Sequence, residues 1–118
     1  MRVRAKSQRD AGSLRRLPRP HITPGSEYLV VGFSEKSFRV LNDRGEPILY
    51  PRELFALVDA DVPQDWVRAE EKDGSYYADP PECALPGFYE DYFDGVPSAV
   101  ETFQKMLREL TRDRGGDR

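Results

Sequence analysis

The chain is poor in the residues that catalysis and metal binding use most often. It has one cysteine, Cys83, and one histidine, His21. A single thiol excludes an internal disulfide and fits a reducing compartment. One Cys with one His also falls short of the three or four protein ligands of a zinc site. A cysteine nucleophile needs a neighbouring base and a third group that orients it, and nothing in the sequence brings His21, held between Pro20 and Ile22, to Cys83. Glycines are scattered singly at Gly12, Gly25, Gly32, Gly45 and Gly74, with one pair at Gly115-Gly116. No glycine-rich phosphate loop and no serine nucleophile elbow can be built from them. No apolar run approaches the roughly 20 residues that cross a bilayer, and no charged segment leading into an apolar one marks a secretory signal. These absences lead to the expectation of a soluble, cytoplasmic, non-enzymatic protein with no catalytic residue, cofactor or metal.

Carboxylates are abundant, but their spacing is not that of a site. Asp59, Asp61 and Asp65 lack the glycine and terminal glutamate of an EF-hand loop. Neither they nor Glu90, Asp91 and Asp94 show a spacing that acid–base chemistry on a glycosidic bond would require. Solvated acidic faces are the commoner use of such residues.

The charge is unevenly spread, although the net value is only −3. Residues 1–20 carry seven Lys/Arg and one acid, whereas residues 53–101 carry thirteen Asp/Glu and two basic residues. The acidic half also holds Trp66, Tyr76, Tyr77, Phe88, Tyr89, Tyr92 and Phe93. Carboxylates steer a basic partner and aromatic rings anchor it. A nucleic-acid binder would be basic over its body rather than only at one end.

Residues 1–20, whose larger apolar side chains after Met1 are Val3, Leu14 and Leu17, read as a flexible basic arm. A single globular domain is expected over residues 21–112. Glu27–Phe33 alternates Leu29, Val31 and Phe33 with Tyr28 and Val30, the period of a strand. Ser37–Leu41 and Glu46–Tyr50 follow, joined by Asn42-Asp43-Arg44-Gly45, whose residues tolerate positive φ. Pro51 opens a helical turn through Leu54, and Phe55–Asp59 is a short strand. Trp66–Glu71 and Ser75–Asp79 flank the Asp73-Gly74 hairpin signal. Five or six short antiparallel strands between about residues 24 and 79 point to a small closed barrel.

Pro80-Pro81 ends this region, and a helical part is expected over about 87–112. Gly87–Asp94 pairs Phe88 with Tyr92 and Tyr89 with Phe93, one aromatic stripe opposite Glu90, Asp91 and Asp94. Ser98 and Glu101 have capping-box spacing before a longer helix with Ala99, Val100, Phe103, Met106, Leu107 and Leu110 on one face. Residues 113–118 are expected to fray. The fold class is therefore mainly β with C-terminal helices, α+β.

The run with a Pro-led turn at Tyr50-Pro51-Arg52-Glu53-Leu54-Phe55 resembles SH3-like small barrels over about residues 24–60, extending towards 79. The wider pattern joins Asp43-Arg44-Gly45-Glu46-Pro47, Tyr50-Pro51, Leu54-Phe55, Pro63, Asp65-Trp66-Val67, Pro86-Gly87-Phe88-Tyr89-Glu90 and Phe93-Asp94-Gly95. It resembles small uncharacterised actinobacterial proteins, some of toxin-immunity type. That resemblance implies no catalytic residues.

The functional expectation is a non-enzymatic protein-binding domain, most concretely an immunity or antitoxin protein that presents carboxylates to a basic partner such as a nuclease toxin. Asp73, Asp79, Glu90, Asp91 and Asp94 would steer, and Trp66 with Tyr76 or Tyr77 would anchor. The alternative is a nucleic-acid-associated module that holds phosphate through the 1–20 arm, against the repulsion of its acidic half. No membrane partner is expected.

Overall fold

The computed structural model describes residues 1–7 and 20–115. Among the described residues, seven strands and two helices form a mixed α+β fold. The strands are β1 (Arg2–Ala5), β2 (Glu27–Ser34), β3 (Ser37–Leu41), β4 (Pro47–Pro51), β5 (Phe55–Asp59), β6 (Val67–Glu70) and β7 (Tyr76–Asp79). The helices are α1 (Phe88–Phe93) and α2 (Pro97–Gly115), and short 3-10 turns lie at Arg52–Leu54 and Pro81–Cys83.

β2 is the strand on which the sheet is assembled. One edge pairs with β3, Val30 opposite Val40 and Phe33 opposite Phe38. The other edge pairs first with β1, Val3 opposite Tyr28, and then with β7, Phe33 opposite Ala78. All pairings are antiparallel, in the order β4-β3-β2-β1-β5, with β6 joined through β7. No ladder joins β4 to β5 among the described residues, so the sheet is open rather than closed on itself. The physical reason is the 3-10 turn after β4, which redirects the chain so that β5 pairs with β1, Phe55 opposite Ala5.

Both faces of β2 are buried, and its alternation feeds two cores. Tyr28 and Val30 join Val3, Ala5, Phe38, Val40, Tyr50, Leu54 and Phe55 on one face. Leu29 and Val31 join Cys83, Phe88, Ala99, Phe103, Met106 and Leu110 on the other, under the helices. Gly32 lies between Val31 and Phe33, where β7 crosses closely: a Cβ there would collide with Asp79 Oδ1. A larger residue at 32 would displace the Asp79 carboxylate and press on the Ala78 carbonyl of β7.

The main correction concerns residues 2–5, expected to belong to a flexible arm. They form β1, with Val3 wholly buried and Ala5 nearly so. The local signal is the alternation Arg-Val-Arg-Ala: Val3 and Ala5 point into the core while Arg2 and Arg4 reach Glu27 at 3.7 and 2.8 Å. Residues 8–19, the rest of that expected arm, lie outside the described residues. At the other end, α2 continues to Gly115, past the expected end at 112, and residues 116–118 also lie outside the described residues. Pro97 takes the first position of α2, so Ser98 falls within the first turn rather than at the cap.

The loop entering β2 is tied to the β3–β4 hairpin. Tyr28 Oη donates to Asp43 Oδ1 at 2.7 Å and accepts the Thr23 N–H at 2.7 Å. Tyr50 Oη donates to the Pro20 carbonyl at 2.6 Å and accepts from the Asn42 amide at 3.1 Å. Buried Asn42 also accepts the Arg44 and Glu46 N–H groups, which fixes the hairpin. Among the described residues no helix is long and apolar enough to cross a membrane.

Because β1 is core structure, removing residues 1–6 should abolish cooperative thermal unfolding followed by circular dichroism. Val3→Ala should lower stability by about 2 kcal/mol, from lost burial plus the cavity it leaves. A truncated chain that melts like the full one would show β1 to be dispensable.

Candidate functional site

The eight side chains expected to form one partner-binding surface lie on several elements and differ in exposure. Trp66 lies on the approach to β6, half-buried against the helix-side core, its ring 6.1 Å from that of Phe33. Tyr76 is half-buried, edge-on to Phe33 and beneath the Arg68 guanidinium at 4.0 Å. Tyr77, its neighbour on β7, faces outwards and is 47% exposed. Adjacent strand residues point to opposite faces, and here the exposed tyrosine is Tyr77. Asp73 is exposed at the tip of the β6–β7 hairpin, where it accepts from the Ser75 N–H and hydroxyl. These hydrogen bonds hold its carboxyl below the usual aspartate value. Glu90, Asp91 and Asp94 are exposed on or beside α1. On the same helix Phe88 is buried, Tyr89 and Tyr92 are half-buried, and Phe93 is 47% exposed. The aromatic stripe is thus mainly packing, with Tyr92 and Phe103 rings 4.9 Å apart.

Depressions among the described residues include two that some of these side chains line. A groove of about 240 Å³ runs between the β2–β3 turn and β7, lined by Ser34–Ser37, Leu49, Ser75, Tyr76 and Tyr77. A smaller slot of about 70 Å³ opens beside Trp66. Pro63, Asp65 and Trp66 line it from the β5–β6 connection, Pro80 and Glu82 from the segment after β7, and Met106, Glu109 and Leu110 from α2. Its floor is the buried pair Met106 and Leu110, one helical turn apart. Glu90, Asp91 and Asp94 line neither depression.

Asp79, expected at the surface, is instead drawn inwards beside Arg39. Burial pushes its carboxyl up to about 6, with the Arg39 charge opposing part of the rise. Arg39 lies 3.8 Å over the Tyr89 ring and donates from Nη1 to the Pro47 carbonyl at 2.9 Å. A guanidinium on an aromatic face lets a buried cation pack against helix α1. Tyr89 Oη is buried and, among the described residues, has no hydrogen-bond partner of good geometry, with the Cys83 thiol beside it. Burial pushes that thiol up to about 11, so it stays protonated at neutral pH, unlike an activated nucleophile. His21 is exposed on the loop that pairs with the β3–β4 hairpin, its carbonyl accepting the Asp43 N–H, and so lies apart from this cluster. Among the described residues, no group of three His, Cys, Asp or Glu side chains could hold a metal ion.

The sequence does not single out Glu82 or Glu109. Only the packing of α2 against the segment after β7 places them beside Trp66. Arg39 was likewise hidden, as one cation in a stretch of balanced charge.

Comparison of the chain with family models, curated proteins and solved structures gives no match.

Asp79 yields a pH prediction. Its folded value, about 6, lies above the ordinary 3.8, so its contribution to stability is fully present below about pH 4 and is lost as pH rises through 6. Asp79→Asn should therefore melt a few degrees higher than the parent at pH 8, with the gain vanishing near pH 4. A difference that is constant with pH, or largest in acid, would contradict the placement of Asp79.

Proposed function

We propose that the chain is a non-enzymatic protein-binding domain that receives a basic partner on its acidic and aromatic surface, most concretely an immunity or antitoxin protein. The observation that carries this reading is that, among the described residues, several acids of the second half are not paired with a cation. Ion pairs among the described residues include Arg2 and Arg4 with Glu27, Arg44 with Glu46, and Arg68 with Glu70. They leave Asp65, Asp73, Glu82, Glu90, Asp91, Asp94 and Glu109 without a cation. Exposed Tyr77 and Phe93 supply rings next to this charge. Unpaired carboxylates raise the rate of encounter with a cationic surface, and partly exposed aromatics provide contact area once it arrives.

The strand order β4-β3-β2-β1-β5, with a 3-10 turn entering β5, supports reading the first five strands as an SH3-like barrel of the open kind. A buried free cysteine fits a reducing compartment, hence the cytoplasm. The nucleic-acid reading loses support, because Arg2 and Arg4 are engaged with Glu27 in the sheet.

The test is capture by the full chain from lysate of the source organism, followed by binding kinetics with the purified partner. The partner should be a basic protein whose association slows as salt rises. The quadruple variant Asp73→Asn, Glu90→Gln, Asp91→Asn, Asp94→Asn should bind it at least tenfold more weakly. A captured protein that is acidic, or one indifferent to both salt and these substitutions, would refute the reading.

A further inference from the structure

We propose that the slot beside Trp66 is a receptor for a single arginine side chain of that basic partner, an inference that rests on the protein-binding reading. The slot is lined by apolar and acidic side chains together, with more polar than apolar surface exposed in it. Met106 and Leu110, 4% and 8% exposed, close its floor, and the Trp66 indole forms a wall. Asp65, Glu82 and Glu109 come to the rim from three separate elements, so their charges approach from different sides. No Lys or Arg lines the slot, and none of the three carboxylates has an ion-pair partner among the described residues. A cation entering the slot meets carboxylates contributed by three separate elements.

The walls decide which cation fits. A bare metal ion needs converging oxygens, whereas this lining offers an indole, a thioether, prolines and a leucine. Those surfaces suit a side chain with an apolar stem and a flat charged head. Guanidinium is planar, weakly hydrated and able to stack on an aromatic face, and its five donors can serve carboxylates on several sides. The protein already uses this contact internally, where Arg39 lies over Tyr89 and Arg68 over Tyr76. A slot of about 70 Å³ takes a head group and little more. Useful affinity must therefore come from a cation carried on a larger surface, which is why the ligand is a protein side chain rather than a free amine.

Trp66 is the only tryptophan of the chain, so its fluorescence reports the slot directly. The full chain should be titrated with a tetra-arginine peptide, and with tetra-lysine and tetra-citrulline peptides of the same length. The arginine peptide should change Trp66 emission saturably, the lysine peptide should bind several-fold more weakly, and the citrulline peptide should have no effect. The pair Glu82→Gln with Glu109→Gln should weaken arginine-peptide binding at least tenfold. Glu101→Gln, an exposed position on the same helix outside the slot, should leave it unchanged, with all proteins melting alike. No saturable change, an equal response to lysine, or a response surviving in the Glu82/Glu109 variant would overturn the assignment. The captured partner separates this inference from the reading beneath it. A partner retained by the Glu82/Glu109 variant but lost by the Asp73/Glu90/Asp91/Asp94 variant sinks the arginine slot alone. A partner retained by both sinks the acidic-surface reading as well.

Discussion

The rest of the structure depends on β2 having no solvent face. In most antiparallel sheets one side of a strand is wet, and its sequence alternates polar with apolar. Tyr28, Leu29, Val30 and Val31 are instead consecutive buried residues, alternately facing the sheet-side core and the helix-side core. Complete burial of a valine or leucine side chain is worth about 1.5–3 kcal/mol, so this one strand ties both cores to the same backbone. It also pairs with three strands, β1 and β7 on one edge and β3 on the other. The near-absence of side-chain bulk at Gly32 allows β7 to approach and hand the chain on to the helices.

The helical layer is held to the sheet by polar as well as apolar contacts. Arg39 leaves β3 to stack on Tyr89 of α1, while Asp79 and Cys83 close round it. A cation, an acid, a thiol and a phenol inside so small a domain carry a desolvation penalty, and Asp79 shows it in a carboxyl pushed up to about 6. What the arrangement achieves is position. With α1 anchored by Tyr89 and α2 by Phe103 and Met106, Glu109 comes to face Asp65 and Glu82 across the slot.

The β2, β3 and β4 strands, the 3-10 turn and both helices were legible because local periodicity and turn residues agreed with their tertiary setting. β1 was obscured by charge: Arg2 and Arg4 made a strand look like part of a basic arm, although Val3 and Ala5 alternate with them. Closure of the sheet is not a local property, and the turn that sends β5 to β1 could be read without revealing that no ladder would join β4 to β5. Tyr76 and Tyr77 were bound to face opposite ways, but which one faced solvent depended on Phe33 lying on one side of β7. The acidic character of the second half was plain from composition. Its organisation was not, because Asp65, Glu82 and Glu109 become neighbours only through packing of three elements distant in sequence, and because Asp79 turns inwards to Arg39.

β2 joins sheet and helices into one cooperative unit, so that the slot beside α2 exists before any partner arrives. Native-state hydrogen exchange tests this most directly, through the amides of Val30 and Val31 in β2 and of Phe103 and Met106 in α2. The claim predicts that all four exchange only through global opening, with free energies agreeing within about 1 kcal/mol. Opening of α2 at a free energy several kcal/mol below that of β2 would contradict it, leaving the helical wall of the slot an independent unit.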